Sequence, residues 1–128
     1  GDLAYYTDPA TGTTDVFGVV DGELTHRRVF VSSDGTHPDG LTVDSVGNVW
    51  VALNGAGRVR CYSPRGEVLE EIEVPVRLVT ALTLGGDDLC DLYVTTSKEN
   101  LDDPEPEAGA LFHARVDVPG KPVLPYRG

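Results

Sequence analysis

Two short stretches decide the fold of this chain: PDGLTVD at residues 38–44 and GNVWVA at residues 47–52. Each is rich in β-branched, aliphatic or aromatic residues and is bounded by Gly, Asp or Pro, as short β-strands are. Where they meet, residues 44–48 read Asp-Ser-Val-Gly-Asn, which is a turn signal. We therefore expect two antiparallel strands joined by a tight turn, with Asp39 in the loop at the mouth of the first strand.

The same signature recurs along the whole chain. No long run carries apolar residues at helical spacing, and 15 glycines and 9 prolines punctuate the sequence. The predicted strands are 3–7, 15–20, 27–32, 40–43, 48–53, 58–62, 68–74, 79–84, 89–95 and 109–116. The predicted fold class is therefore all-β, built from short strands with frequent turns.

A longer repeat underlies the strands. Tyr6, Trp50 and Tyr93 take corresponding places in similar segments, 44 and 43 residues apart. This period is typical of the four-stranded blade of a β-propeller. The middle blade, 34–76, then has all four strands. The partial blade 1–33 lacks the innermost strand, and the partial blade 77–128 lacks the outermost strand. The prediction is one propeller domain of about two and a half blades, whereas closed propellers usually have about four to eight.

An incomplete ring has consequences for partners and for geometry. Repeat units bury their faces against neighbours, and exposed sheet edges invite pairing with another chain. We therefore expect self-association, or pairing with the N-terminal half of a ring. Because neighbouring strands alternate in direction, Asp8, Asn54 and the loop 97–108 should share the face that carries Asp39.

Charge and composition narrow the partners further. The formal net charge is −11, which opposes nucleic-acid binding because that requires a basic face. No apolar run is long enough to span a bilayer, and no leader segment is evident. Of the two cysteines, Cys61 and Cys90, each lies in or beside a predicted strand and is interpreted as a buried thiol. A cytoplasmic location is the expectation, with no membrane or nucleic-acid partner.

The ordered motifs resemble the family of regucalcin (senescence marker protein), gluconolactonase and luciferin-regenerating enzyme. They are PDG at 38–40 with VD at 43–44, GNVWVA at 47–52, GRV at 57–59, Gly66, Leu69, IEVP at 72–75, LYVT at 92–95, PEAGALF at 106–112 and PY at 125–126. The likeness covers essentially the whole chain, and it corresponds to the C-terminal part of a family member. It implies a six-bladed propeller that binds one divalent cation over its central channel and hydrolyses sugar lactones.

The resemblance also implies one site residue. The family's cation is held by a Glu, an Asn and the Asp of the Pro-Asp-Gly motif, and only this Asp maps here, onto Asp39. Asp39 is therefore expected to be a metal ligand for Ca²⁺, or Zn²⁺ or Mn²⁺, and a catalytic residue that orients or deprotonates the attacking water. Judged without the resemblance, Asp39 is better explained as a turn residue after proline than as a metal ligand. The alternative function is a non-enzymatic calcium-binding or scaffold propeller.

The remaining polar candidates each have two interpretations. Asp8 and Asn54 either support the cation's ligands and line the pocket, or stabilise turns. His37 either lines the pocket or is a solvated loop residue, and Asp44, in the turn on the opposite face, is expected to be structural. The acidic stretch 99–107 lacks EF-hand spacing and is interpreted as a mobile acidic rim. We find no nucleophile elbow and no phosphate-binding glycine loop.

Overall fold

The computed structural model describes residues 2–8, 10–32, 37–99 and 102–121. Within these ranges it contains ten strands and no helix, and thus no helix that could cross a membrane. The strands are β1 (Asp2–Asp8), β2 (Thr13–Val20), β3 (Glu23–Ser32), β4 (His37–Val43), β5 (Val49–Asn54), β6 (Arg58–Tyr62), β7 (Val68–Glu73), β8 (Val79–Gly85), β9 (Asp91–Thr96) and β10 (Leu111–Arg115). Every predicted strand is confirmed, with differences at the ends.

The largest difference is at the start of β3, which begins four residues before its predicted start. Asp21 and Gly22 form a two-residue hairpin with φ values of 51° and 80°, so that Val20 pairs directly with Glu23. Positive φ at both central residues is the geometry that Asp-Gly favours in a tight hairpin. The Asp-Gly pair was the available signal for the earlier start.

The strands form three antiparallel sheets of sequential order: β1-β2-β3, β4-β5-β6-β7 and β8-β9-β10. β8 packs against both β4 and β5, and β4 packs against β1. The end of β1 lies at Asp39, near the start of β4, because the Thr7 hydroxyl donates to the Asp39 carbonyl. β1 therefore runs antiparallel to β4. In the first sheet β1 is the equivalent of β5 in the second sheet. This is the predicted arrangement of consecutive propeller blades.

The hydrophobic core lies between the sheets, and β5 contributes to both of its halves. Val49, Val51 and Leu53 face the first sheet, whereas Trp50 and Ala52 face the third. All five are at most 2% exposed, as alternation along a strand buried on both faces requires. Burying each of the valine and leucine side chains contributes about 1.5–3 kcal/mol, so the contact between sheets is the main source of stability.

The packing corrects one correspondence in the predicted repeat. Tyr5, and not Tyr6, packs against the core residues of the second sheet, and its ring meets that of Phe30, in β3, edge-on at 5.2 Å. Tyr6 is 55% exposed on the opposite face. Because successive residues of a strand point to opposite faces, a shift of one residue inverts the whole assignment. Tyr5 is thus the counterpart of Trp50, and the two adjacent tyrosines made the sequence ambiguous.

Asp44 is structural, as predicted. It is completely buried, and its carboxylate accepts hydrogen bonds from the Asn48 main-chain N–H (2.9 Å), the Asn48 side-chain amide (2.9 Å) and Trp50 Nε1 (3.2 Å). Its main chain bridges to Gly120. The turn between β4 and β5 is therefore built around one buried carboxylate.

The two cysteines differ in environment. Cys61 is 3% exposed, and burial, followed by the charges of Asp44 and Glu70, raises its pKa to about 12. Cys90 is only half-buried, and it lies in the connection that immediately precedes β9. The prediction of a buried thiol is right for Cys61 and wrong for Cys90.

Candidate functional site

Asp39 lies in a bulge of β4, and the prediction that it precedes the strand is wrong. Pro38 pairs with Leu53 and Leu41 pairs with Val51, so Asp39 and Gly40 are left out of the regular ladder. β4 is the edge strand of its sheet, where a proline costs no ladder hydrogen bond. A bulge redirects side chains locally, and Asp39 is one of the two residues that form this bulge.

Gly40 explains how the bulge fits. A β-carbon at this position would lie 2.8 Å from Ala81 Cα and 3.0 Å from the Thr80 carbonyl oxygen. Only glycine therefore allows β4 to approach β8 this closely. The close approach brings Asp39 beside the first strand of the third sheet.

The main chain of Asp39 is bonded and its side chain is not. The Thr7 hydroxyl donates to the Asp39 carbonyl at 2.6 Å, but the carboxylate makes no hydrogen bond or ion pair with any described residue. It is half-buried, and this burial raises its pKa above the usual value. A partly desolvated carboxylate without a partner among the described residues is suited to bind a hard cation, which prefers oxygen ligands.

One carboxylate does not make a metal site. Within the ranges that the structure describes, no three His, Cys, Asp or Glu side chains lie close enough together to hold a metal ion. Asp39 fits the implied cation as one of several ligands. A cation at Asp39 would need further oxygen ligands from elsewhere or from water.

Asn54 shares the face of Asp39, as predicted, and binds the neighbouring sheet. It pairs with His37 across the β4–β5 ladder, at the end of the sheet where Asp39 lies. Its side-chain amide donates to the Val79 carbonyl at 3.1 Å. Asn54 therefore joins the second sheet to the third, which favours its structural interpretation. The His37 side chain is exposed at the start of β4, and it belongs to a strand where a loop was expected.

Asp8 stabilises its own turn. Its Oδ1 accepts the Ala10 main-chain N–H at 3.1 Å, and its carbonyl accepts the Gly12 N–H at 2.9 Å. These are the bonds of a short hairpin loop. The turn interpretation of Asp8 is the one that its contacts support.

The acidic loop between β9 and β10 is held by Arg77, which the sequence did not suggest. Glu105 Oε2 accepts the Arg77 main-chain N–H at 2.7 Å and lies 3.3 Å from Arg77 Nε. The Asp103 carbonyl accepts a further bond from the same guanidinium. The main-chain N–H groups of Glu105 itself and of Arg77 lower the Glu105 pKa. This part of the rim is thus attached to the connection between β7 and β8.

A second charged cluster lies at the far end of the third sheet. Arg115 binds both carboxylate oxygens of Asp88, at 2.9 and 2.6 Å, and its Nη1 lies 3.1 Å from Asp91 Oδ1. His113 Nε2 lies 2.7 Å from the same Asp91 oxygen, a partner that its sequence context did not reveal. Asp91 is at the opposite end of β9 from the Asp39 face, so this cluster is separate from the candidate site.

Residues 1–98 match the family described as SMP-30/Gluconolactonase/LRE-like region. The chain belongs to this family. Over 97 residues it is 44% identical to 6-deoxy-6-sulfogluconolactonase of Pseudomonas putida, a match that covers 73% of this chain and 33% of that protein. Over 136 residues it is 34% identical to regucalcin of Sus scrofa, covering 98% of this chain and 46% of the relative.

A solved structure confirms the predicted fold class. The calcium-binding protein regucalcin from Agrobacterium tumefaciens superposes with a TM-score of 0.85 at 27% identity, over 93% of this chain and 43% of that one. The chain therefore spans less than half the length of the SMP-30/Gluconolactonase/LRE-like relatives that it matches here. Its three sheets correspond to part of their regucalcin-like propeller.

Proposed function

We propose that this chain is the C-terminal portion of a divalent-cation-dependent hydrolase of sugar lactones. The observation that carries the proposal is the Asp39 carboxylate, which is half-buried, has a raised pKa and makes no bond with a described residue. Its position in a glycine-permitted bulge beside β8 supports the assignment. Relatives named as lactonases support the substrate class.

Asp39 is the residue of this chain that would hold the cation, with Ca²⁺, Zn²⁺ and Mn²⁺ as the candidates. When bound, such a cation polarises a carbonyl oxygen and lowers the pKa of a coordinated water. The ionised Asp39 carboxylate orients the attacking water and accepts its proton.

The reaction itself is the addition of water across a cyclic ester. The water oxygen forms a bond to the acyl carbon, and the bond from this carbon to the ring oxygen breaks. The proton taken by Asp39 passes to the departing ring oxygen, which becomes a hydroxyl group. The product is an open-chain hydroxy acid, and no oxidant or other co-reactant is consumed.

The function is tested on the full-length protein with a panel of sugar lactones. The protein is stripped with EDTA, and hydrolysis is followed by acid release before and after adding Ca²⁺, Zn²⁺ or Mn²⁺. We expect turnover to vanish with the chelator and to return with at least one cation. Unchanged turnover in EDTA would contradict cation dependence, and absence of turnover with every lactone and cation would contradict the hydrolase.

A second candidate is a calcium-binding or scaffold propeller without turnover. The similarity to a regucalcin described as a calcium-binding protein favours it. Calorimetry on the full-length protein separates the two proposals. Saturable Ca²⁺ binding together with no hydrolysis across the lactone panel would support the second candidate and reject the first.

We further propose that the outer face of the first sheet is covered, either by the remainder of the ring or by a second copy. Tyr6, Leu24 and Val29 are between 55% and 60% exposed there, and Arg27 lies over the Phe17 ring at 5.5 Å. Isolated apolar side chains are common on surfaces, but contiguous ones indicate an interface. Sedimentation of this 128-residue chain as a well-folded monomer would contradict the second copy.

A further inference from the structure

The hydrogen bond between Thr7 and Asp39 joins two sheets at the candidate site. The Thr7 hydroxyl, in β1, donates to the Asp39 carbonyl, in β4, at 2.6 Å across 32 positions of sequence. This distance is at the short end of the range for O–H···O bonds. The bulge removes Asp39 from the regular β4–β5 ladder, so a side chain of the first sheet binds a carbonyl that this ladder does not pair.

The other side of the bulge is fixed by packing. Gly40 lies against Ala81 and the Thr80 carbonyl, with no room for a β-carbon. The Asp39–Gly40 segment is therefore held between Thr7 on one side and β8 on the other. Because the Asp39 carboxylate has no partner among the described residues, its position depends on the main chain that carries it. A shift of this main chain would move the carboxylate directly.

We propose that Thr7 is a positioning residue of the candidate cation site. Its hydroxyl fixes the Asp39 carbonyl, and thereby holds the carboxylate where a cation and its bound water would meet it. Threonine suits this task because its branched side chain has few rotamers in a strand and its hydroxyl is a donor. The inference rests on the proposed role of Asp39 as a cation ligand.

A merely structural bond makes a different prediction. If the Thr7 hydroxyl only joined the first two sheets, its loss would lower the melting temperature and leave cation affinity unchanged. A positioning role predicts weaker cation binding even at a temperature where the variant is fully folded. Outer residues that orient metal ligands typically change affinity by about 10–100-fold when they are replaced.

The test compares four full-length proteins: wild type, Thr7→Val, Thr7→Ser and Thr25→Val. Valine keeps the shape of threonine and removes the donor, whereas serine keeps the donor. Thr25 is the matched control, because its hydroxyl also donates to a main-chain carbonyl, that of Gly18 at 3.2 Å, within the first sheet. Calorimetric titration with Ca²⁺ gives the dissociation constant, and hydrogen exchange of the Asp39 and Gly40 amides in EDTA reports the main chain alone.

We expect Thr7→Val to bind Ca²⁺ roughly 10-fold more weakly and to exchange the Asp39 and Gly40 amides faster than wild type. Thr7→Ser should recover most of the affinity, and Thr25→Val should match wild type in both measurements. Wild-type affinity and exchange in Thr7→Val would overturn the inference. Equal weakening in Thr25→Val would also overturn it, since the effect would then be general loss of stability.

Asp39→Asn separates this inference from the proposed function. If Asp39→Asn loses Ca²⁺ binding and Thr7→Val does not, only the positioning role fails. If Asp39→Asn binds Ca²⁺ like wild type, the proposed ligand fails, and the role of Thr7 toward a cation fails with it. Faster amide exchange in Thr7→Val would then show that the bond fixes the bulge for a purely structural reason.

Discussion

The Trp50 indole donates a hydrogen bond to Asp44 Oδ2 at 3.2 Å, inside the turn that joins β4 to β5. Both residues are at most 2% exposed, and Asn48 donates to the same oxygen of Asp44. One carboxylate thus satisfies polar groups that would otherwise be buried without partners. Such networks are costly to interrupt, because each orphaned group keeps its desolvation penalty.

We predict that Asp44→Ala lowers the free energy of unfolding by roughly 3 kcal/mol, since it leaves buried donors of Asn48 and Trp50 unpaired. Urea unfolding followed by the fluorescence of Trp50, the single tryptophan, measures this loss. Asp87→Ala, in the turn between β8 and β9, is the control, because Asp87 is exposed. Equal stability of the two variants would show that the Asp44 network is not stabilising.

Gly40→Ala should be destabilising because of the close approach of β4 to β8. The new β-carbon would meet Ala81 Cα at 2.8 Å, and overpacking of this kind costs about 1–3 kcal/mol. Gly85→Ala is a matched control in β8, since a β-carbon there would meet only the Tyr93 ring, at 3.5 Å. Thermal unfolding should show a lower melting temperature for Gly40→Ala alone. Equal melting temperatures of the two variants would mean that β8 can move away from the new β-carbon without loss of stability.

Asp39→Asn should leave the metal-free protein at least as stable as wild type near neutral pH. Burial raises the folded-state pKa of Asp39 above its unfolded value, so the charged form is disfavoured by folding. The associated stability is present below the unfolded pKa and is lost as the pH rises through the folded pKa. Melting curves in EDTA measure the effect. A marked loss of stability in Asp39→Asn would mean that the ionised carboxylate has a favourable partner in the folded protein.

Asp88 should show the opposite pH dependence. Hydrogen bonds from the Arg115 guanidinium lower the Asp88 pKa to about 2, so its stabilising contribution is present above the ordinary carboxyl pKa and is lost as the pH falls toward 2. Arg115→Gln should therefore be less stable than wild type at neutral pH, with the difference shrinking in acid. Melting temperatures between pH 2 and pH 7 test this. A difference that does not change with pH would contradict the charge interaction.

The strands of this chain could be predicted because their signals are local. Alternating apolar residues bounded by Gly, Asp and Pro are visible within a few positions, and the blade period repeats them. The structural role of Asp44 was also predictable from its place in a turn. The choice between Tyr5 and Tyr6 was not, because adjacent aromatic residues satisfy either face of a strand.

The geometry around Asp39 depends on residues that are distant in sequence. Thr7 lies 32 positions before Asp39, and Ala81 lies in β8, after all four strands of the second sheet. β8 packs closely against Gly40 in this bulge, and nothing in the Pro-Asp-Gly motif specifies which strand lies there. The same holds for Glu105, whose partner Arg77 lies 28 positions away. Non-local contacts of this kind could therefore not be predicted from the sequence motifs or from the repeat period.

The proposed function depends on Asp39 as a cation ligand that lactone hydrolysis requires. The most direct measurement compares Asp39→Asn with Asp103→Asn, an isosteric change at an exposed aspartate of the acidic loop, in the full-length protein. For each, kcat/KM for the best lactone is determined together with the dissociation constant of the activating cation. We expect Asp39→Asn to lose about 10²–10⁴-fold in kcat/KM and to bind the cation more weakly, while Asp103→Asn retains wild-type values. Wild-type turnover and cation affinity in Asp39→Asn would contradict it.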